Sequence, residues 1–289
     1  MSRAKELIET QEFATLPAVA SKVLSMLDND EADIRTVATV IETDAALTLK
    51  ILRVANSPLY ATRAEVNSIH QAILNLGLNR LTNIVLGVSI FSKFLISSNS
   101  LLAAIMDKFW WHCSSTGMIA KSLSTKLKKT FKEAEFIGGL IHDIGKLSLI
   151  QYNFQMYQEV LTLISSGNSD IEAEKLVFGA DHNEVGLEIA KLWKLPQELS
   201  EIIYYHTYPE RATSNREVIS VVRIADLMAE IWGADFFEGI RHLNLEDEMS
   251  WQILRSSYPE LEELDLEIFT FELESDFMRT AEFLKLIKE

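Results

Sequence analysis

The sequence predicts an all-α protein, on three observations. Only 11 glycines and 5 prolines occur in 289 residues, too few for a turn-rich β architecture. Apolar residues recur at helical spacing along most of the chain. No stretch alternates polar and apolar side chains between turn signals, as a strand would. With 48% hydrophobic residues, the chain can build a sizeable core and is not expected to be disordered.

The elements follow in order. Leu16-Pro17 opens a stripe at Val19, Val23, Leu24 and Leu27, which Asp28-Asn29-Asp30 breaks. Ile34, Val37, Val40 and Ile41 form the next. Asp44 is placed to cap a third helix through Leu47, Ile51, Leu52 and Val54. That helix should stop near Asn56-Ser57-Pro58, because the residue before a proline is pushed out of the α region. Ser68 caps a fourth through Ala72, Ile73 and Leu76, ending at Gly77, and Asn79 opens a fifth. Three regions can be separated: a bundle of short helices over 1–98, a segment over 99–235 holding most of the histidines, and a helical, amphipathic 236–289 without recognisable chemistry.

Composition narrows the function. The net charge of −15 disfavours nucleic acid as a partner. From Glu260 onward ten acids stand against three bases, which reads as a solvated surface. The single cysteine, Cys113, excludes a disulfide framework and suits a reducing cytoplasm, where it is most simply a small buried hydrophobe. Met1 to Leu16 has no signal-peptide pattern. The most apolar stretches, Asn83–Ile96 and Phe136–Ile150, are short for a membrane span and each holds a lysine, so they read as buried helices without membrane insertion.

The chemistry lies in ionisable residues on apolar faces. A helix from Phe136 to Leu147 would be apolar almost all round and therefore buried, yet His142 and Asp143 interrupt it. A buried carboxylate costs several kcal/mol unless it is paired or binds metal. Adjacent helical residues diverge by about 100°, so the two can reach different sides of one ion or two neighbouring ions; a self-satisfied His–Asp core pair is the alternative. Asp226 continues the stripe of Val218, Val221, Val222 and Ala225 and needs a cation, either a metal or Arg223. His112 lies on the apolar side that includes Phe109, Ile119 and Leu123, where a satisfied core histidine is the competing reading. His182 sits near a helix start and His206 at the end of an apolar run; His70 and His242 fit surface or capping roles. Lys146, one turn beyond Asp143, is either an exposed lysine or a phosphate contact. Imidazoles with carboxylates suit a divalent metal such as Fe, Mn, Zn or Mg, and two such ions can activate water against phosphorus. No nucleophile elbow, phosphate-binding glycine loop or dinucleotide fingerprint competes.

The order His112 … His142-Asp143 … Asp226 resembles the H…HD…D signature of the HD superfamily of metal-dependent phosphohydrolases. Asp181-His182-Asn183-Glu184-Val185-Gly186 and Tyr205-His206 are similar to the additional histidine positions of HD-GYP phosphodiesterases, although the chain after His206 reads Thr207-Tyr208-Pro209-Glu210 and lacks a Gly-Tyr-Pro element. Leu16-Pro17, Asp44-Ala45-Ala46-Leu47, Ile51 through Ser57, Ala72 through Gly77 and Leu192-Trp193-Lys194-Leu195-Pro196 resemble the HDOD family, the HD-related output domains, over roughly residues 10–235. The resemblance implies an N-terminal helical subdomain packed on an HD-like helical core, and a bacterial signalling module acting through a ligand such as a nucleotide or through a signalling protein partner. HDOD members have generally lost phosphohydrolase activity, whereas this sequence keeps the basic quartet. The alternative is therefore a phosphodiesterase acting on a nucleotide or cyclic dinucleotide. In it His112, His142, Asp143 and Asp226, with His182 and His206, hold metal, and Asp143 and Lys146 serve catalysis.

Overall fold

The computed structural model describes all residues except 1, 10–15, 29–32, 58–59, 61–64, 95–99, 241, 264, 279, 282–283 and 286–289. Among the described residues there is no strand, in agreement with the predicted all-α class. No described helix is long and apolar enough to cross a membrane.

The chain forms two compact units, one of residues 15–110 with 279–289, the other of residues 1–14 with 111–278. The first holds α2 (Ala18–Asp28), α3 (Ile34–Glu42), α4 (Ala45–Ala55), α5 (Ile69–Leu76) and α6 (Leu78–Phe94). Its caps are those expected from sequence. The Asp44 side chain accepts from the Leu47 N–H at 3.0 Å, and Ser68 accepts from the Gln71 N–H at 3.1 Å. Helix α4 ends at Ala55, and Asn56 ties its end to the chain beyond by exchanging two 2.8 Å hydrogen bonds with the backbone of Val66. Gly77, at φ 87°, closes α5, as its freedom at positive φ allows. The next helix begins one residue earlier than expected, at Leu78. Of the expected α2 stripe, Val23 and Leu24 are buried and Val19 is half-buried; the Leu27 side chain and most of the Asp28-Asn29-Asp30 break lie outside the description.

Helix α7 (Ser100–Lys126) runs from the first unit into the second. The second unit also contains α1 (Arg3–Glu9), α8 (Ala134–Ile141), α9 (Ile144–Tyr152), α10 (Phe154–Ser165), α11 (Asp170–Phe178), α12 (His182–Leu192), α13 (Gln197–Tyr205), α14 (Arg216–Ile231), α15 (Met249–Ser257) and α16 (Leu266–Phe277). Its core is crossed by α7, α8, α9, α12, α13 and α14, and α8 and α9 are buried along their whole lengths apart from Gln151 and Tyr152 at the end of α9.

Glycines let these helices approach closely. A Cβ built on Gly139 of α8 would lie 2.6 Å from the Gly117 Cα of α7. On α9, a Cβ at Gly145 would stand 1.9 Å from the carbonyl oxygen of His182 at the start of α12. Real side chains do not tolerate such separations, so backbone packs on backbone at both crossings. We expect Gly145→Ala to destabilise the protein by about 1–3 kcal/mol or more through overpacking. Chemical denaturation should register this as a lower midpoint with an unchanged slope; an unchanged midpoint would refute it.

Candidate metal centre

The helix expected from Phe136 to Leu147 is broken. Helix α8 ends at Ile141, His142 caps it, and Asp143 (φ −94°, ψ 16°) begins α9. In a straight helix two adjacent side chains point about 100° apart; the break turns both toward one centre. The close crossings bring the other helices to it. His112 comes from α7, Asp226 from α14, His182 from the first turn of α12 and His206 from the end of α13. These six side chains are all fully buried. His70 and His242 are exposed and take no part.

Asp143 divides the cluster in two. Its Oδ2 faces the Nε2 atoms of His142 at 3.6 Å and His112 at 3.7 Å. Its Oδ1 faces the Nε2 atoms of His182 and His206, each at 3.5 Å. On the first side Asp226 Oδ1 lies 3.1 Å from His112 Nε2 and 3.4 Å from His142 Nε2.

The other ring nitrogens are committed. His112 Nδ1–H donates to the Ala234 carbonyl at 2.8 Å, His142 Nδ1–H to Gly139 at 2.8 Å and His206 Nδ1–H to Ile203 at 3.0 Å. His182 Nδ1–H donates to Glu174 Oε2 at 2.7 Å, and the same oxygen accepts the His182 backbone N–H at 2.7 Å. These bonds fix the tautomer: a neutral ring then presents Nε2 as a bare lone pair. All four lone pairs converge on carboxylate oxygens, acceptor against acceptor. Asp143 Oδ1, Asp226 Oδ1, His182 Nε2 and His206 Nε2 make no hydrogen bond of normal geometry. Positive charge must enter between them, as protons or as a cation.

The wider charge balance points the same way. Six carboxylates, those of Asp143, Asp170, Glu174, Asp226, Glu230 and Glu238, are buried here. Two fixed cations oppose them. Lys146 Nζ is 2.9 Å from Asp143, 3.0 Å from Asp170 and 3.3 Å from Glu238. Arg223 lies 2.7 Å from Asp226 Oδ2 and 2.9 Å from Glu238. Protons supply part of the deficit. Burial pushes the pKa of His112 down, but Asp226, Asp143 and Glu230 outweigh it and raise it to about 9. His182 also rises to about 9, with burial overcome chiefly by Glu174. His206, buried beside His142 and His182, falls to about 4. Burial and Glu238 lift Glu230 to about 8. Against burial, Lys146 and His142 hold Asp143 well below the usual carboxylate range, and His142 with His112 does the same for Asp226.

The donor set fits divalent metal. One group of ligand atoms comes from His112, His142, Asp226 and Glu238, another from His142, Asp143, His206 and Glu238. With all six carboxylates ionised and the imidazoles neutral, four negative charges exceed Lys146 and Arg223, and two divalent ions would neutralise them. The two readings of Asp226 are compatible, since Oδ2 meets Arg223 while Oδ1 faces the histidines. Lys146 is fully buried, which excludes the exposed-lysine reading.

Sequence reasoning missed Asp170, Glu174, Glu230 and Glu238. Glu230 was detectable, four residues after Asp226 on the same stripe, and Asp170 and Glu174 are four apart on α11. Glu238 lies in irregular chain beyond α14, where no periodicity marks it.

An all-α chain that gathers an H…HD…D set around one buried centre is a protein of the HD class. It belongs, within that class, to the HDOD family, whose domain matches residues 13–209. An HDOD domain protein of unknown function from Geobacter sulfurreducens is similar over 96% of this chain and 97% of its own, at 25% identity and a TM-score of 0.75. A Shewanella amazonensis protein classed as a phosphohydrolase shares the fold over 97% of both chains, at 20% identity and a TM-score of 0.70. So does a Marinobacter aquaeolei protein classed in signal transduction, at 18% identity and a TM-score of 0.67, over 95% of this chain and 60% of that one. An uncharacterised protein of Treponema pallidum is 23% identical over 232 residues, and the match spans 42% of that relative's length.

Because His112 and His182 carry protons near pH 7 and a ligating imidazole must be neutral, metal uptake should release about two protons per chain at that pH. The release should fade as pH rises through 9. Calorimetric titration with Mn(II) in buffers of different ionisation enthalpy measures it; uptake without proton release at pH 7 would contradict the assignment.

Proposed function

We propose that this protein is a bacterial signal-transduction output module, acting in the cytoplasm, whose HD centre holds divalent metal and whose output passes through ligand or protein binding. One observation supports this reading above others: the centre is complete in its ligands yet closed. None of the quartet His112, His142, Asp143 and Asp226 is exposed, and the ammonium of Lys146 is already surrounded by three carboxylates. A turnover site needs an open coordination position and a free cation for substrate. Here the cation is taken up by the chain's own carboxylates and the donor atoms are buried, which favours a structural or sensing role.

A second reading, a phosphohydrolase acting on a nucleotide or cyclic dinucleotide, is favoured by the two faces of Asp143. A carboxylate with two histidines toward each oxygen is suited to bridge two ions. His112, His142 and Asp226 would hold one, His182 and His206 the other. When bound, such a pair supplies a water of lowered pKa and polarises a phosphoryl oxygen. Lys146 and Arg223 would hold phosphoryl oxygens, and the bonds from Gly139, Ile203, Ala234 and Glu174 would keep each imidazole oriented.

Metal analysis of protein purified without chelator should find divalent metal, and Asp143→Ala should lose most of it. Phosphodiesterase assays with added Mn(II) or Fe(II) should find no turnover in the unaltered protein. Turnover that Asp143→Ala abolishes would replace the first reading with the second, and absence of metal would remove both.

A further inference from the structure

We infer that Lys146 and Arg223 form an anion seat for a phosphoryl group, and that Glu238 fills this seat as a built-in substitute. The inference deepens the proposed metal centre and rests on it.

The carboxylate of Glu238 lies where a phosphoryl group would have to lie. One oxygen is 3.3 Å from Lys146 Nζ and the other 2.9 Å from Arg223. These cations touch the two aspartates of the centre, Lys146 at Asp143 and Arg223 at Asp226. Glu238 also belongs to both groups of prospective metal ligands, so it sits beside both halves of the site. An anion spanning two cations next to two metal positions imitates two oxygens of a bound phosphoryl group.

The segment that carries Glu238 is constructed as a strap. It leaves α14 at Gly233 (φ 94°), places Phe237 at φ 67°, a conformation non-glycine residues rarely adopt, and ends at Gly239 (φ 77°). Between these points it is fastened to the site. The Ala234 carbonyl accepts from His112, and Phe236 stacks on the His112 ring at 6.2 Å. The Phe236 N–H donates to Glu230, and the Ala234 N–H donates to Ala229 at 2.9 Å. Glu238 itself has no mate outside this cluster: its partners are the two cations, and burial pushes its carboxyl up, with Asp226 adding to the rise. A carboxylate held by these two cations occupies positions that two phosphoryl oxygens would take in its place.

Inorganic phosphate is the probe. Glu238→Ala and the isosteric Glu238→Gln should each bind phosphate at least tenfold more tightly than the unaltered protein by titration calorimetry in the presence of Mn(II). Metal content measured on the same samples separates the two claims: loss of metal bears on the centre, loss of the phosphate gain on the seat. In the unaltered protein, millimolar phosphate should speed hydrogen exchange at the amides of Gly233, Ala234 and Phe236. Equal phosphate binding by all three proteins, or no gain in either variant while circular dichroism reports native helix, would overturn the inference. So would phosphate that leaves exchange at these amides unchanged.

Discussion

A carboxylate with no exposed surface, Asp143, is the constraint around which the HD unit is organised. Leaving it bare would cost several kcal/mol, more than most single interactions in a marginally stable fold return. The chain answers with Lys146 on one oxygen and four imidazole edges around both. It then adds further acids, so the remedy recreates the problem on a larger scale. Such excess negative charge is a poor way to stabilise a core and a good way to hold cations. Protons on His112 and His182 are the provisional solution and divalent metal the fuller one.

That electrostatic arrangement depends on backbone geometry. The imidazoles can meet within 3.1–3.7 Å of their partners only because α7, α8, α9 and α12 approach without intervening side chains. Gly139 against Gly117 sets the distance between His112 and His142. Gly145 against the His182 carbonyl sets the distance between Asp143 and His182. The carbonyls that orient the rings, Gly139 and Ile203, belong to the last turns of α8 and α13, where backbone acceptors have no helical partner. Helix ends thus provide the outer shell of the centre.

These facts explain what the sequence could disclose. His112 and Asp226 were legible because each breaks an apolar stripe, and stripes report burial directly. The caps at Asp44 and Ser68 were legible because capping is local chemistry. The break at His142-Asp143 was not. Residues 136–147 have the composition of one continuous helix, and only the need for two adjacent side chains to share a centre interrupts it. Glu230 obeyed the stripe rule and went unused. Glu238 obeys no rule of periodicity: it reaches the site on irregular chain between two glycines, and its place is decided by tertiary contacts.

The position of Glu238 also relates the two functional readings. The histidines and aspartates of the centre stand on helices or at their ends, whereas Glu238 stands on irregular chain. A metal held with the help of Glu238 would favour the strap as it stands, because that carboxylate belongs to both groups of prospective ligands. An anion that needs Lys146 and Arg223 competes with Glu238 directly and therefore favours the open strap. Only a ligand with different affinities for the two arrangements can shift their balance, and here an anion would favour the open one and the metal the closed one. On the proposed reading, opening would uncover the centre and free a segment anchored on His112, so that ligand sensing and access to the centre would become one event. A fold that keeps the H…HD…D quartet could in this way serve as a switch, with the closed state maintained by its own carboxylate.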